Sequence, residues 1–282
     1  MQAQIIKTHS LTILTYLALA ALFVPTFYKL FSYGWRQADY SHGPLILGAF
    51  LWLLWREKKF ISMPTDTKFH LSYLCVILFG LFCYVMGSIH KALLVESFSI
   101  IPIFIGTTGF LLGRQALAMV LFPAMFLVFL IPPPLFFIDM VTSPLKLIVA
   151  KTSEIFLHIA GYTINRNGVL LFIGDYTIVV GDACSGLRSL VSLLAVGALY
   201  AYLQNISNLK KAFLFLSIIP ISIIANIIRL IVLALITYYY GESAGQGFFH
   251  NFSGLLLFII AIGCLVLIDV FLNRKTVYAD NR

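Results

Sequence analysis

The chain has 282 residues, 61% of them hydrophobic and only 11% charged, with a mean hydropathy of +0.98. A soluble domain is about 45–50% apolar and about 25% charged, so a soluble enzyme, a disordered chain, a coiled coil and a DNA-binding module are all poor readings. The net charge of +8 comes from short basic runs between apolar stretches. In a membrane protein such runs set orientation, and nucleic acid is not expected as a partner.

A membrane-spanning helix needs about 20 mostly apolar residues to cross about 30 Å of hydrocarbon. The sequence predicts an all-α membrane protein, a single polytopic domain over residues 1–282, with about eight such spans. The first runs from Leu11 to Phe31. Ala18-Leu19-Ala20 mimics a cleavage site but lies mid-span, so an uncleaved anchor is expected. The second, Gly43 to Trp55, is short; the third is Leu71 to Gly87 and the fourth Ala92 to Leu112. The fifth, Ala116 to Ile131, stops at Pro132-Pro133-Pro134, where three backbone donors are missing and the chain must turn.

One long connection follows. Ile138 to Tyr162 mixes Lys146, Lys151 and Glu154 with Leu145, Ile148, Ile155 and Leu157, which predicts an amphipathic helix lying at the interface. Val169 to Ile173 and Tyr176 to Val180 are β-rich runs around Gly174-Asp175, which predict a short hairpin. The remaining spans are Ser185 to Leu203, Ala212 to Tyr238 and Phe252 to Leu272.

With the N-terminus cytoplasmic, the inner segments hold eleven basic residues: Lys7, Arg56, Lys58, Lys59, Lys68, Arg114, Lys210, Lys211, Arg274, Lys275 and Arg282. The outer segments hold six: Lys29, Arg36, Lys91, Lys146, Lys151 and Arg166. The bias predicts both termini inside, which agrees with an even number of spans. The long connection then faces the periplasm or the cell exterior.

Four unusual residues gather at that outer side. Cys184 stands at the start of the sixth span, in Gly181-Asp182-Ala183-Cys184-Ser185-Gly186-Leu187-Arg188. A helix N-terminus favours the thiolate, and so does Arg188, four residues on and on the same helical face. Arg229 is 17 residues beyond Ala212, about 25 Å along a helix, which puts it in the outer part of the bilayer with Asn226 on its face. A charge inside a span is functional by default, the alternative being a snorkelling arginine that fixes depth or pairs with a carboxylate. His250 and His42 lie at the outer ends of the eighth and second spans; a thiol nucleophile needs a base, and His is the usual one. For His42 a capping or packing role is weighed equally. Cys75, Cys83 and Cys264 sit among apolar residues and read as buried small hydrophobes. No CxxC pair exists, so neither a zinc ribbon nor a thioredoxin-type dithiol is indicated, and thiol chemistry at Cys184 needs no metal or cofactor.

The motif Ala183-Cys184-Ser185-Gly186-Leu187-Arg188-Ser189, then Asn226-x-x-Arg229, then His250 with Gly254 and Phe258, resembles the exosortase/archaeosortase family. Tyr40-Ser41-His42-Gly43 and Trp55 extend the likeness, which covers about 35–258. Asn251 follows His250 where the family commonly has an acidic residue. The resemblance implies a multi-span cysteine protease or transpeptidase of the bacterial or archaeal cytoplasmic membrane. It implies Cys184, Arg229 and His250 as the catalytic residues, with His42, Ser185, Arg188 and Asn226 in support. Family substrates are exported proteins ending in a signature such as Pro-Glu-Pro, one span and a basic tail. The rival readings are a transporter, a membrane thiol oxidoreductase and an envelope-assembly scaffold without chemistry. The first lacks internal repeats and paired broken spans, and the second lacks paired exposed cysteines.

Overall fold

The computed structural model describes residues 2–36, 40–59, 71–133, 135–180, 187–241 and 248–279. These residues are mainly helical and include one small sheet. Among them, four apolar helical segments are long enough to cross a membrane: Ser10–Gly34, Leu71–Ile89, Leu93–Leu130 and Asn208–Tyr240. Gly43–Arg56, Leu190–Leu203 and Phe258–Leu272 are shorter apolar helices. The 38 residues of Leu93–Leu130 are not one rod. Gly113 takes φ 80° and ψ −176° inside that segment, a break only glycine accepts readily, and it falls between the predicted fourth and fifth spans.

The chain divides into two compact units, Met1–Pro133 and Pro134–Arg282. The first contains α1 (Gln2–Lys29), α2 (Gly43–Arg56), α3 (Leu71–Ile89), α4 (Leu93–Phe98) and α5 (Ile100–Phe126). A π-turn, Leu30–Gly34, ends α1, and a 3-10 turn, Leu127–Leu130, precedes the prolines. α2 opens with Pro44, whose missing N–H is no loss in a first turn. The Trp35 indole occupies the space where a Cβ on Gly43 would stand.

Glycines set the packing of α3 against α4 and α5. A Cβ on Gly80 would lie 2.6 Å from Ile103, on Gly106 2.7 Å from Ile77, and on Gly109 2.6 Å from Tyr73. One on Gly87 would strike the backbone of Glu96. Rising numbers on one helix meet falling numbers on the other, so the pair is antiparallel, in the close approach that small residues permit in membranes.

The turn between them is a Schellman motif. Ala92 N–H donates to Gly87 O at 2.8 Å and Lys91 N–H to Ser88 O at 3.4 Å, with Lys91 left-handed at φ 55°. A side chain pays a steric penalty there that glycine does not. Lys91→Gly is therefore expected to stabilise the protein by about 0.5–1 kcal/mol after glycine's extra unfolded-state entropy is counted. Reversible unfolding in mixed micelles would read this, and a destabilised variant would contradict it.

Glu96 is 1% exposed within this apolar hairpin. Lys29 Nζ donates to both of its carboxylate oxygens, at 2.9 and 2.8 Å, and Thr26 Oγ1 donates to Oε1 at 2.8 Å. A charge in hydrocarbon is tolerated when paired in this way, and the cluster ties α1 to α4.

The second unit contains α6 (Leu135–Ile159), strands β1 (Ile164–Asn167), β2 (Leu170–Ile173) and β3 (Tyr176–Val179), then α7 (Leu187–Leu203), α8 (Asn208–Leu216), α9 (Ile218–Tyr240) and α10 (Phe248–Ala279). The β2–β3 hairpin is the predicted one, with Ile173 opposite Tyr176 across Gly174-Asp175. The sequence reading missed β1, which pairs antiparallel with β2 from Ile164–Ile173 to Asn167–Leu170. Both two-residue turns start with a glycine of positive φ, Gly168 at 62° and Gly174 at 57°, the residue a II′ hairpin requires. Leu171 and Ile173 point into a core shared with Val149, Ala150 and Leu157 of α6 and Leu230, Leu233 and Ala234 of α9.

α6 has a buried stripe of Val149, Ala150, Ser153 and Leu157. Ser153 meets Ile227 and Tyr162 meets Tyr238 and Tyr239, so this stretch runs beside α9 in the same direction. Leu147, Ile148, Ile155, Phe156 and Ile159 are exposed, so α6 has apolar surface on two sides.

Candidate functional site

Four buried polar residues of the second unit lie on the packed face of α9. Its buried residues are Ile218, Ser222, Ala225, Asn226, Arg229, Leu230, Leu233, Ala234 and Thr237, spaced as one stripe of a helix. Four of them are polar in an otherwise apolar helix. Arg229 is 7% exposed and Asn226 5%. The predicted sharing of a face by these two is thus observed. Arg229 stands midway along α9, eleven residues from each end. Counted along the whole apolar segment Asn208–Tyr240, which joins α8 to α9 through Ser217, it lies 21 residues from the start and eleven from the end.

Contacts fix the register of α7, α9 and α10. A Cβ on Gly197 of α7 would run into Ile218 of α9 and lie 3.9 Å from Leu265 of α10, so the three helices meet there. Tyr200 of α7 donates to Asp269 of α10 at 2.8 Å, so α7 and α10 run parallel. Lys211 of α8 reaches Tyr202 O and Lys210 reaches Leu272 O, so the α8–α9 limb runs opposite to both. Arg229 is eleven residues along α9 from the common level, about 17 Å. Leu187, the first residue of α7, is ten residues from it in the same direction, about 15 Å. His250, third in α10, is fifteen residues from it, about 22 Å. Leu187 therefore lies close to the level of Arg229, and His250 about one turn beyond it.

The other expected site residues fall as follows. Cys184 and Ser185 lie outside the described residues, three and two positions before α7. Arg188 is the second residue of α7, and its side chain and that of His250 lie outside the described part of the structure. His42 occupies the N-cap position of α2 in the first unit, without a side-chain capping bond. Cys83 is buried and Cys264 half-buried. Cys75 departs from expectation: it is exposed, on the face of α3 that presents Leu71, Leu78, Phe79 and Phe82. It acts as a small apolar residue on an outward stripe.

The far end of α9 carries a tyrosine cluster. Tyr162, Tyr238 and Tyr239 pack edge to face with centroids 5.1–6.4 Å apart. Tyr162 and Tyr239 share a hydroxyl hydrogen bond of 2.9 Å, which holds the Tyr162 phenol above its ordinary pKa. Aromatic rings of this kind mark a membrane–water boundary. The opposite end holds Lys210 and Lys211, so the unit has an aromatic pole and a basic pole.

Sequence reasoning missed Glu96 and its partners Lys29 and Thr26. The signal was available, since Glu96 is an acidic residue inside the predicted fourth span.

A family model described as transmembrane exosortase (Exosortase_EpsH) matches residues 35–267. No curated protein and no solved structure matches the chain.

Proposed function

Because the chain belongs to the transmembrane exosortase family, we propose that it is a membrane cysteine protease or transpeptidase that processes C-terminal, membrane-anchored sorting signals of exported proteins. The observation that carries the reading is the buried Arg229, beside Asn226, close to the level where α7 begins and about one turn from that of His250 in α10. Cys184 and His250 belong to those two helix starts in sequence. The finer topology proposed is eight spans. Leu93–Leu130 counts twice across Gly113, and the three other long segments and three shorter apolar helices supply the rest. Both termini are then cytoplasmic, and the site faces the periplasm or exterior.

In the proposed reaction the Cys184 thiolate attacks the carbonyl carbon of a peptide bond next to the substrate's membrane span. Negative charge moves to the carbonyl oxygen, where the Arg229 guanidinium donates hydrogen bonds. The C–N bond breaks, the leaving amine takes a proton from His250, and the acyl group stays on Cys184 as a thioester. Water or an acceptor amine then attacks the thioester while His250 takes the proton, and the thiolate is released. Asn226, Arg188, Ser185 and His42 are supporting residues.

The test is capture of the intermediate. The purified chain in proteoliposomes is mixed with a tagged substrate ending in Pro-Glu-Pro, an apolar span and a basic tail. The expected result is a covalent adduct of enzyme and substrate tag that hydroxylamine cleaves. An unaltered enzyme mass with an intact substrate would overturn the proposal.

A further inference from the structure

We infer that a groove between α1, α2 and α5 in the first unit binds one phospholipid with an anionic headgroup, its phosphate held at Lys58. The groove encloses about 530 Å³, within the about 300–1,000 Å³ usual for small-molecule sites. Its floor reaches the core: Phe23, Phe50 and Ile103 line it and are 5%, 8% and 1% exposed. The Tyr16 hydroxyl in its wall is engaged with Thr108 at 2.7 Å, which leaves the groove interior apolar.

Shape and charge select the occupant. The α1 wall runs from Ile13 to Phe27, fourteen residues, about 21 Å. That exceeds the about 15 Å half-thickness of bilayer hydrocarbon, so a single acyl chain can lie along it from one interface. Lys58 lines the same groove and stands 5.4 Å from the centroid of Trp55, another lining residue. Arg56 sits over Trp52 at 5.8 Å, so this end of α2 pairs tryptophans with cations. Tryptophan and lysine together mark headgroup depth. Arg56-Glu57-Lys58-Lys59 carries three basic residues against one acid, which attracts an anionic headgroup and repels a basic peptide tail. A membrane helix followed by a basic tail is therefore the disfavoured occupant.

The test uses the full chain with Trp35→Phe and Trp52→Phe, which leaves Trp55 as the reporter. It is placed in nanodiscs of phosphatidylcholine containing either phosphatidylglycerol or further phosphatidylcholine brominated on the acyl chains. Brominated phosphatidylglycerol is expected to quench Trp55 at several-fold lower mole fraction than brominated phosphatidylcholine. Lys58→Gln should reduce that preference about fivefold, the contribution of one basic residue near an anionic surface. Ala20→Phe, which fills the groove, should reduce quenching by both lipids, and Lys151→Gln, on α6, should change nothing. Equal quenching by the two lipids, a preference that survives Lys58→Gln, or displacement of the bromolipid by a stoichiometric basic-tailed membrane peptide would each overturn the inference.

Discussion

Cys184→Ala is expected to abolish processing of a membrane-tailed substrate, with a loss of at least about 10⁴-fold, because no acyl-enzyme can form without the sulfur. The measurement is the gel shift of an epitope-tagged substrate in membranes, normalised to the amount of folded enzyme. Cys184→Ser is the sharper companion, since it keeps size and hydrogen bonding but replaces a thiolate with a poor nucleophile. Neither change touches Cys75, Cys83 or Cys264, so any residual thiol chemistry in the variants belongs to those positions. If Cys184→Ala processes at the native rate, the peptidase reading is wrong and a transport or scaffolding role replaces it.

The second large effect concerns Arg229→Lys. The charge is retained, yet turnover is expected to fall about 10²–10³-fold, the usual consequence of losing one well-placed oxyanion donor. A lysine ammonium is a point charge on a flexible stem, whereas guanidinium presents a planar fork that can donate in two directions. Arg229 is 7% exposed on the packed face of α9, so its position is set by the surrounding helices. The discriminating readout is kcat against KM. A transition-state donor lowers kcat with little change in KM, and a substrate-holding group raises KM. Normal turnover in folded Arg229→Lys enzyme would show that Arg229 anchors the helix and takes no part in chemistry.

The apolar segments were legible because hydropathy and length are summed over many residues, and the lipid requirement is strict. The hairpin was legible because Gly174-Asp175 interrupts two β-rich runs. β1 was hidden because Ile164-Asn165-Arg166-Asn167 has a single large apolar residue, and its pairing to β2 depends on the Gly168 turn. Glu96 stands out as an acid inside an apolar span, but its partner Lys29 is 67 residues away in sequence, and hydropathy does not pair them. The polar face of α9 followed from helical spacing alone. Ser217 keeps helical dihedrals, φ −64° and ψ −17°, so nothing in local propensity announces that α8 ends there. The exposure of Cys75 was not legible either. Residues facing lipid and residues facing protein are equally apolar in a membrane span, so composition does not tell them apart.

The glycine contacts of α3 with α4 and α5 also carry a consequence for the order in which the chain assembles. The contact nearest the Lys91 turn joins Gly87 to Glu96, nine residues apart. The next join Gly80 to Ile103, Gly106 to Ile77 and Gly109 to Tyr73, at separations of 23, 29 and 36 residues. Each contact closes a longer loop than the one before, but loop-closure entropy grows only slowly with length. The pair can therefore zip from the turn outward, a route of low contact order that is intrinsically fast. A nascent chain needs only the first turn of α4 in place for zipping to begin. α1 is tied to the same hairpin by the ion pair of Lys29 with Glu96.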